Sequence, residues 1–176
     1  MIEKFKMDNL PKNEIIIESV DTLQNTLIEY GVDISNWKHE SANKTVDDLW
    51  REITDGEARI SFENGEIFRN IEVVRAKAFA LIESSPHILC EYQQYDGCEM
   101  QKRDIESSIS EKKILDESIE IALERALAEE LGIELLLENI RGLSQDPEAS
   151  VRESRGFPSL KTKYSFYDAQ IELFGE

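Results

Sequence analysis

The sequence predicts an α+β protein, with a strand-rich body built around one strong helix and a helical segment ahead of it. Three observations predict this. Apolar residues recur at helical spacing in two segments that end before Gly56. From Ala58 onward the pattern changes to short β-type runs punctuated by Asn-Gly and Asp-Gly. One long amphipathic segment, residues 116–133, interrupts those runs. A chain of 176 residues can bury a real core, and 40% hydrophobic against 32% charged residues stops short of the bias that prevents folding. The expected organisation is a helical extension over residues 1–57 and a mixed-strand body over residues 58–176, an arrangement closer to α+β than to a doubly wound sheet.

The elements follow in order. Ser19 precedes a run in which Val20, Leu23, Leu27 and Tyr30 share one helical face until Gly31 ends it. Thr45, with Asp48 three residues on, opens a second helix whose stripe is Val46, Leu49, Trp50 and Ile53. Between them Trp37 sits in a loop and is expected to pack down, because an exposed indole wastes its apolar area. Asn64-Gly65 marks a tight hairpin, since both residues accept positive φ. Ile71 to Ile82 reads as a longer strand. His87 to Tyr95 and Cys98 to Lys102 read as a second hairpin, in which Asp96-Gly97 pairs Tyr95 with Cys98. Later strands are expected at Glu134 to Leu137, Ile140 to Leu143 and Tyr164 to Leu173.

Twenty Lys+Arg against 37 Asp+Glu leave a formal net charge of -17, which repels phosphate backbones and disfavours duplex or single-strand nucleic acid as a partner. No apolar stretch is long enough to cross a bilayer, and Met1-Ile2-Glu3-Lys4-Phe5-Lys6 lacks the apolar run of a signal peptide, so a cytoplasmic protein without membrane contact is expected. The two cysteines fit that setting. Cys90, within Ile88-Leu89-Cys90, reads as a small buried hydrophobe, and neither thiol has metal ligands at useful spacing. His39 and His87 sit in no ligand pattern and read as structural or surface residues.

Residues 116–133 carry the chemistry. Asp116 is a good N-cap and Gly132 a good C′ residue. Ile119, Leu123, Ala126 and Leu127 form the apolar stripe, with Glu130 falling inside it and Glu129 on its flank. A carboxylate turned inward needs a cation, a hydrogen-bond network or a wet cleft. Two adjacent carboxylates suit a hard divalent ion such as Mg²⁺ or Mn²⁺.

The segment resembles the box of the Nudix hydrolases, G-x5-E-x7-R-E-U-x-E-E-x-G-U, where U is a bulky aliphatic residue. Glu117 falls on its first glutamate, Arg125 on its arginine, Leu127 and Ile133 on its aliphatic positions, Glu129 and Glu130 on its paired glutamates, and Gly132 on its last glycine. Two positions depart. Glu111 stands at the opening glycine, and Ala126 stands where the family has the glutamate after the arginine. The resemblance implies a Nudix-like α/β/α sandwich over residues 58–176 and, as activity, divalent-metal-dependent hydrolysis of a nucleoside diphosphate linked to another group. Arg125, Glu129 and Glu130 would then be catalytic, with Glu129 and Glu130 as metal ligands, and Glu117, Glu138 or Asp168 replacing the missing acid or serving as base. On this reading Ala126→Glu raises divalent-ion affinity.

Loss of one acid and of the loop glycine supports a second reading, a catalytically inactive Nudix-like module that binds a nucleotide derivative or a protein partner, a second copy of the chain included. A third is an acidic interaction protein that uses Trp37 or Trp50. The plainer reading of the helix itself is an Arg125–Glu129 pair at i, i+4 with Glu130 solvated. Elsewhere Arg152, Arg155, Lys161 and Lys163 gather in a loop-like stretch that could hold an anion, with Phe157 or Tyr164 stacking on a base, or could simply balance nearby acids. Arg75 and Lys77 share one strand face. The candidate substrate-binding residues are therefore Arg75, Arg155, Lys161 and Lys163.

Overall fold

The computed structural model describes residues 17–38, 44–90, 93–95, 100–102, 109–134, 137–154 and 156–173. Its architecture is α+β, with three α-helices among these residues and a large mixed sheet. The helices are α1 (Val20–Glu29), α2 (Val46–Thr54) and α3 (Ile119–Leu131). The strands are β1 (Arg59–Glu63), β2 (Glu66–Ile82), β3 (Ser85–Ile88), β4 (Gln93–Tyr95), β5 (Met100–Lys102), β6 (Ile109–Lys112), β7 (Ile140–Leu143), β8 (Glu148–Glu153) and β9 (Lys161–Leu173). The sheet runs β1-β2-β9-β7, with β3 and β6 also on β2 and β8 on β9, while β4 and β5 form a separate pair. No helix among the described residues is long and apolar enough to cross a membrane.

The chain divides into two compact units, Met1–Ile71 with Ser150–Lys163, and Glu72–Ala149 with Tyr164–Glu176. In the first, Ser19 caps α1 by accepting from the Thr22 N–H, and Leu23 and Leu27 are wholly buried. A capping box opens α2: the Thr45 hydroxyl accepts from the Asp48 N–H at 3.2 Å, and the Asp48 carboxylate accepts from the Thr45 N–H at 2.8 Å. These helices share a core with Trp37, Leu49, Ile60, Ile67, Phe157 and Leu160. Trp37 packs down as expected, and its indole N–H donates to the Pro158 carbonyl at 2.9 Å. Buried Glu52 is held by Arg69, whose guanidinium lies 4.9 Å from the Phe157 ring centre, and by Lys44 at 2.6 Å. A buried carboxylate with two cationic partners avoids the cost of an unpaired one.

The Asn-Gly hairpin forms as its residues require: Asn64 has φ 51° and Gly65 φ 86°, and Glu63 pairs with Glu66 across the turn. The strand after it starts at Glu66, so the expected strand from Ile71 is the far part of a longer one.

In the second unit α3 lays Ala122, Leu123, Ala126 and Leu127 against Val74, Ala76, Ile109, Ala169 and Ile171. Several expectations are corrected here. The N-cap of α3 is Ser118, whose hydroxyl accepts from the Ile121 N–H at 3.2 Å, while Asp116 takes a left-handed turn at φ 62°. Glu130 is exposed rather than part of the buried stripe. Tyr95 pairs with Met100, not Cys98, which shifts the second hairpin by two residues. Cys90 is an exposed free thiol. Leu137–Asn139 is a 3-10 turn instead of a strand end, and β6 and β8 form where loops were expected. Cys98, His39 and Arg155 lie outside the described residues.

Candidate functional site

The α3 site is built on one side chain, Arg125. Its Nε and Nη2 donate to the two oxygens of Glu117 at 3.1 Å each, Nη2 also donates to the Lys112 carbonyl at 2.7 Å, and Nη1 reaches Glu129 at 3.4 Å. Glu117 in turn accepts from the Ile114 N–H at 2.9 Å. The guanidinium thus staples β6 and the loop before α3 onto the helix. A fork of fixed donors suits this role, which a point-charge lysine could not fill. Burial alone pushes the Glu117 carboxyl up; the hydrogen bonds from Arg125 and Ile114 and the charges of Arg125 and Lys113 outweigh it and hold the group below the usual glutamate range.

The three positions of the helix that matter for a cation differ in burial. Ala126 is 0% exposed inside the apolar cluster, whereas Glu129 and Glu130 are exposed. Of these two acids, Glu129 already faces Arg125. Among the described residues no group of three or more His, Cys, Asp or Glu side chains is placed to hold a metal ion. The side chains at 126, 129 and 130 therefore do not fit the three-carboxylate cation site that the resemblance implies.

Arg75 belongs to a second cluster of the same unit. Its Nε and Nη2 donate to both oxygens of Asp168 at 2.7 Å, Nη2 also donates to Glu148 at 2.8 Å, and its guanidinium stacks 4.3 Å from the Phe166 ring centre. The hydrogen bond from Arg75 to Asp168, with that to Glu148 and the charges of both acids in support, outweighs burial and holds the guanidinium above its ordinary range. Glu138 is exposed, and its carbonyl accepts from Arg141.

Lys161 and Lys163 lie in the other unit and share a cleft of ≈ 530 Å³ with Arg152, Phe68, Glu63 and Glu66. Lys161 pairs with Glu66, and Lys163 pairs with Glu63 while sitting 4.1 Å from the centre of the Phe68 ring. The cleft is a basic island only in part, because each lysine has an acid from the Asn64-Gly65 hairpin. Phe157, expected as a stacking surface, is 1% exposed and belongs to the core. Trp37 is equally unavailable to a partner, and Trp50 packs against the core.

Sequence reasoning missed Glu63, Glu66 and Phe68 as cleft walls. The signal was present in the spacing, since Glu66 and Phe68 share one strand face, as do Lys161 and Lys163. Nothing local announces Asp168 as the partner of Arg75, 93 residues away.

No protein-family model and no curated protein matches the chain. Among solved structures, the C. elegans Ap4A hydrolase is similar, at 17% identity over 57% of this chain and 68% of that one, with a TM-score of 0.32.

Proposed function

We propose that the chain is a divergent Nudix-type domain that binds a nucleotide derivative and has given up the family's divalent-metal hydrolysis. The register of Glu117, Arg125, Glu129, Glu130 and Gly132 supports the family, and the Arg125–Glu117 staple gives two of those residues a structural reason to persist. The observation that carries the loss of hydrolysis is Ala126, wholly buried among aliphatic side chains where a third metal-binding acid would be needed. A cation on Glu129 and Glu130 alone would be held by few ligands in open solvent.

The cleft of Lys161, Lys163 and Arg152 supports the ligand class. Its volume falls in the range of small-molecule sites, and Phe68 supplies an aromatic wall. The Lys161–Glu66 pair is about half exposed at both ends, so a ligand phosphate displaces the carboxylate at little cost, about 1 kcal/mol or less. Calorimetric titration of the full chain with ADP, in Mg²⁺ and in EDTA, tests this. Saturable binding in both conditions, weakened tenfold or more by Lys161→Ala with Lys163→Ala, is expected. Absence of binding, or binding untouched by the double substitution, contradicts it.

A second reading, a surviving hydrolase, is favoured by one observation, the exposure of Glu129 and Glu130 side by side at the end of α3.

A further inference from the structure

The second unit also carries a hairpin, β2 running into β3, in which every residue from Leu81 to Cys90 is exposed. Its two-residue turn is Glu83-Ser84, both at positive φ, with Ile82 paired to Ser85 across it. Phe79 pairs with Ile88 and Leu81 with Pro86. Directly paired residues share a face, so these four side chains make one apolar surface across both strands. Helix α3 does not cover it, since that helix packs on Val74 and Ala76, the opposite face of β2. Leu81 is 45% exposed and Ile88 59%, where a sheet face left to water is ordinarily polar. A contiguous apolar patch of this kind marks an interaction surface.

We infer that this face docks a second copy of the chain, the two hairpins packed face to face and antiparallel about a two-fold axis. The register is self-complementary. With the axis at the level of the Ala80–His87 pair, residues equidistant from that pair meet. Phe79 then lies over the partner's Leu81, and Ile88 over the partner's Pro86. Lys77, three residues before Ala80, meets the partner's Glu83, three residues after it, and the symmetry makes this contact twice. Both residues are exposed, and neither has an ion pair among the described residues. Charge complementarity therefore selects the occupant: an apolar strip with a cation at one end and an anion at the other is answered by its own two-fold copy. Four side chains from each copy make less than the roughly 800 Å² per partner of a standard interface, so the dimer is weak and concentration-dependent. No residue of the Lys161 cleft takes part, so the two proposals stand or fall separately.

Sedimentation equilibrium of the full chain over rising concentration tests this, at about 0.15 M salt, where a screening length of about 8 Å mutes the net repulsion. Reductant keeps the exposed thiol of Cys90 from linking chains. A reversible monomer–dimer equilibrium is expected, weakened tenfold or more by Leu81→Glu with the circular dichroism spectrum unchanged. Lys77→Glu and Glu83→Lys each place like charges at both symmetric contacts, and each alone is expected to weaken the dimer tenfold or more. Mixed in equal amounts, the two variants restore opposite charges at both contacts and are expected to form a heterodimer as stable as the wild-type dimer. The proposal is overturned if the wild-type chain stays monomeric at every concentration, as it would were another protein or a lipid surface the occupant. It is equally overturned if a folded Leu81→Glu chain dimerises unchanged, or if the mixed variants associate no better than either alone.

Discussion

Arg125 joins three parts of the chain through one guanidinium, so its partner Glu117 is where a single substitution is most legible. Its side chain is 8% exposed, and Glu117→Gln removes the charge while keeping most of the shape. The folded carboxyl titrates below its ordinary value, so its stabilisation is complete above that value and is lost as pH falls through the lower, folded one. The substitution is therefore expected to cost about 2 kcal/mol at neutral pH and little at strongly acid pH. Urea unfolding at both pH values checks this, and an equal cost at the two contradicts it. Ala126 sets the opposite test. The resemblance to the Nudix box implies that Ala126→Glu raises metal affinity, whereas the buried position implies an uncompensated carboxylate among aliphatic groups. A loss of about 3 kcal/mol or more is expected in thermal unfolding, with no gain in Mg²⁺ binding.

Elements were legible where their signal was local. The capping box of α2 needs only Thr45 and Asp48, and Thr45→Ala is expected to cost about 1 kcal/mol in chemical denaturation. A loss near zero would mean that tertiary packing alone defines that helix end. The turn at Asn64-Gly65 was legible for the same reason, because positive φ is a property of those two residues. Gly65→Val, strained at φ 86°, is expected to cost about 1–2 kcal/mol. The misread elements lacked such markers. Strand β6 reads Ile109-Ser110-Glu111-Lys112 and β8 reads Glu148 to Glu153, segments without the β-branched alternation that announces a strand. Their pairing comes from neighbours: β6 on Val73 to Ala76, and β8 on β9. At the start of α3 two residues competed as caps, and Ser118 won because Asp116 is used in the preceding left-handed turn.

At the scale of the whole molecule, charge is the dominant property. A net charge of -17 repels itself, and raising ionic strength from about 0.01 M to 0.15 M shortens the screening length from about 30 Å to about 8 Å. Melting temperature is expected to rise over that range, and a fall would show that specific ion pairs outweigh the general repulsion. The same acidity explains why the candidate site was only partly legible. Cations stood out in so acidic a sequence, but three of them pair with acids: Arg75 with Asp168 and Glu148, Lys161 with Glu66, Lys163 with Glu63. Those partners lie 73 to 100 residues away, distances over which spacing carries no information.

Whether the acids at the end of α3 still support chemistry is tested most directly by a turnover assay. The full chain is incubated with Mg²⁺ or Mn²⁺ and a panel of nucleoside diphosphate derivatives, beside the Glu129→Gln, Glu130→Gln double variant. Product formation by the two proteins is expected to be indistinguishable from the uncatalysed background. Metal-dependent turnover by the wild-type chain that disappears in the double variant would contradict it.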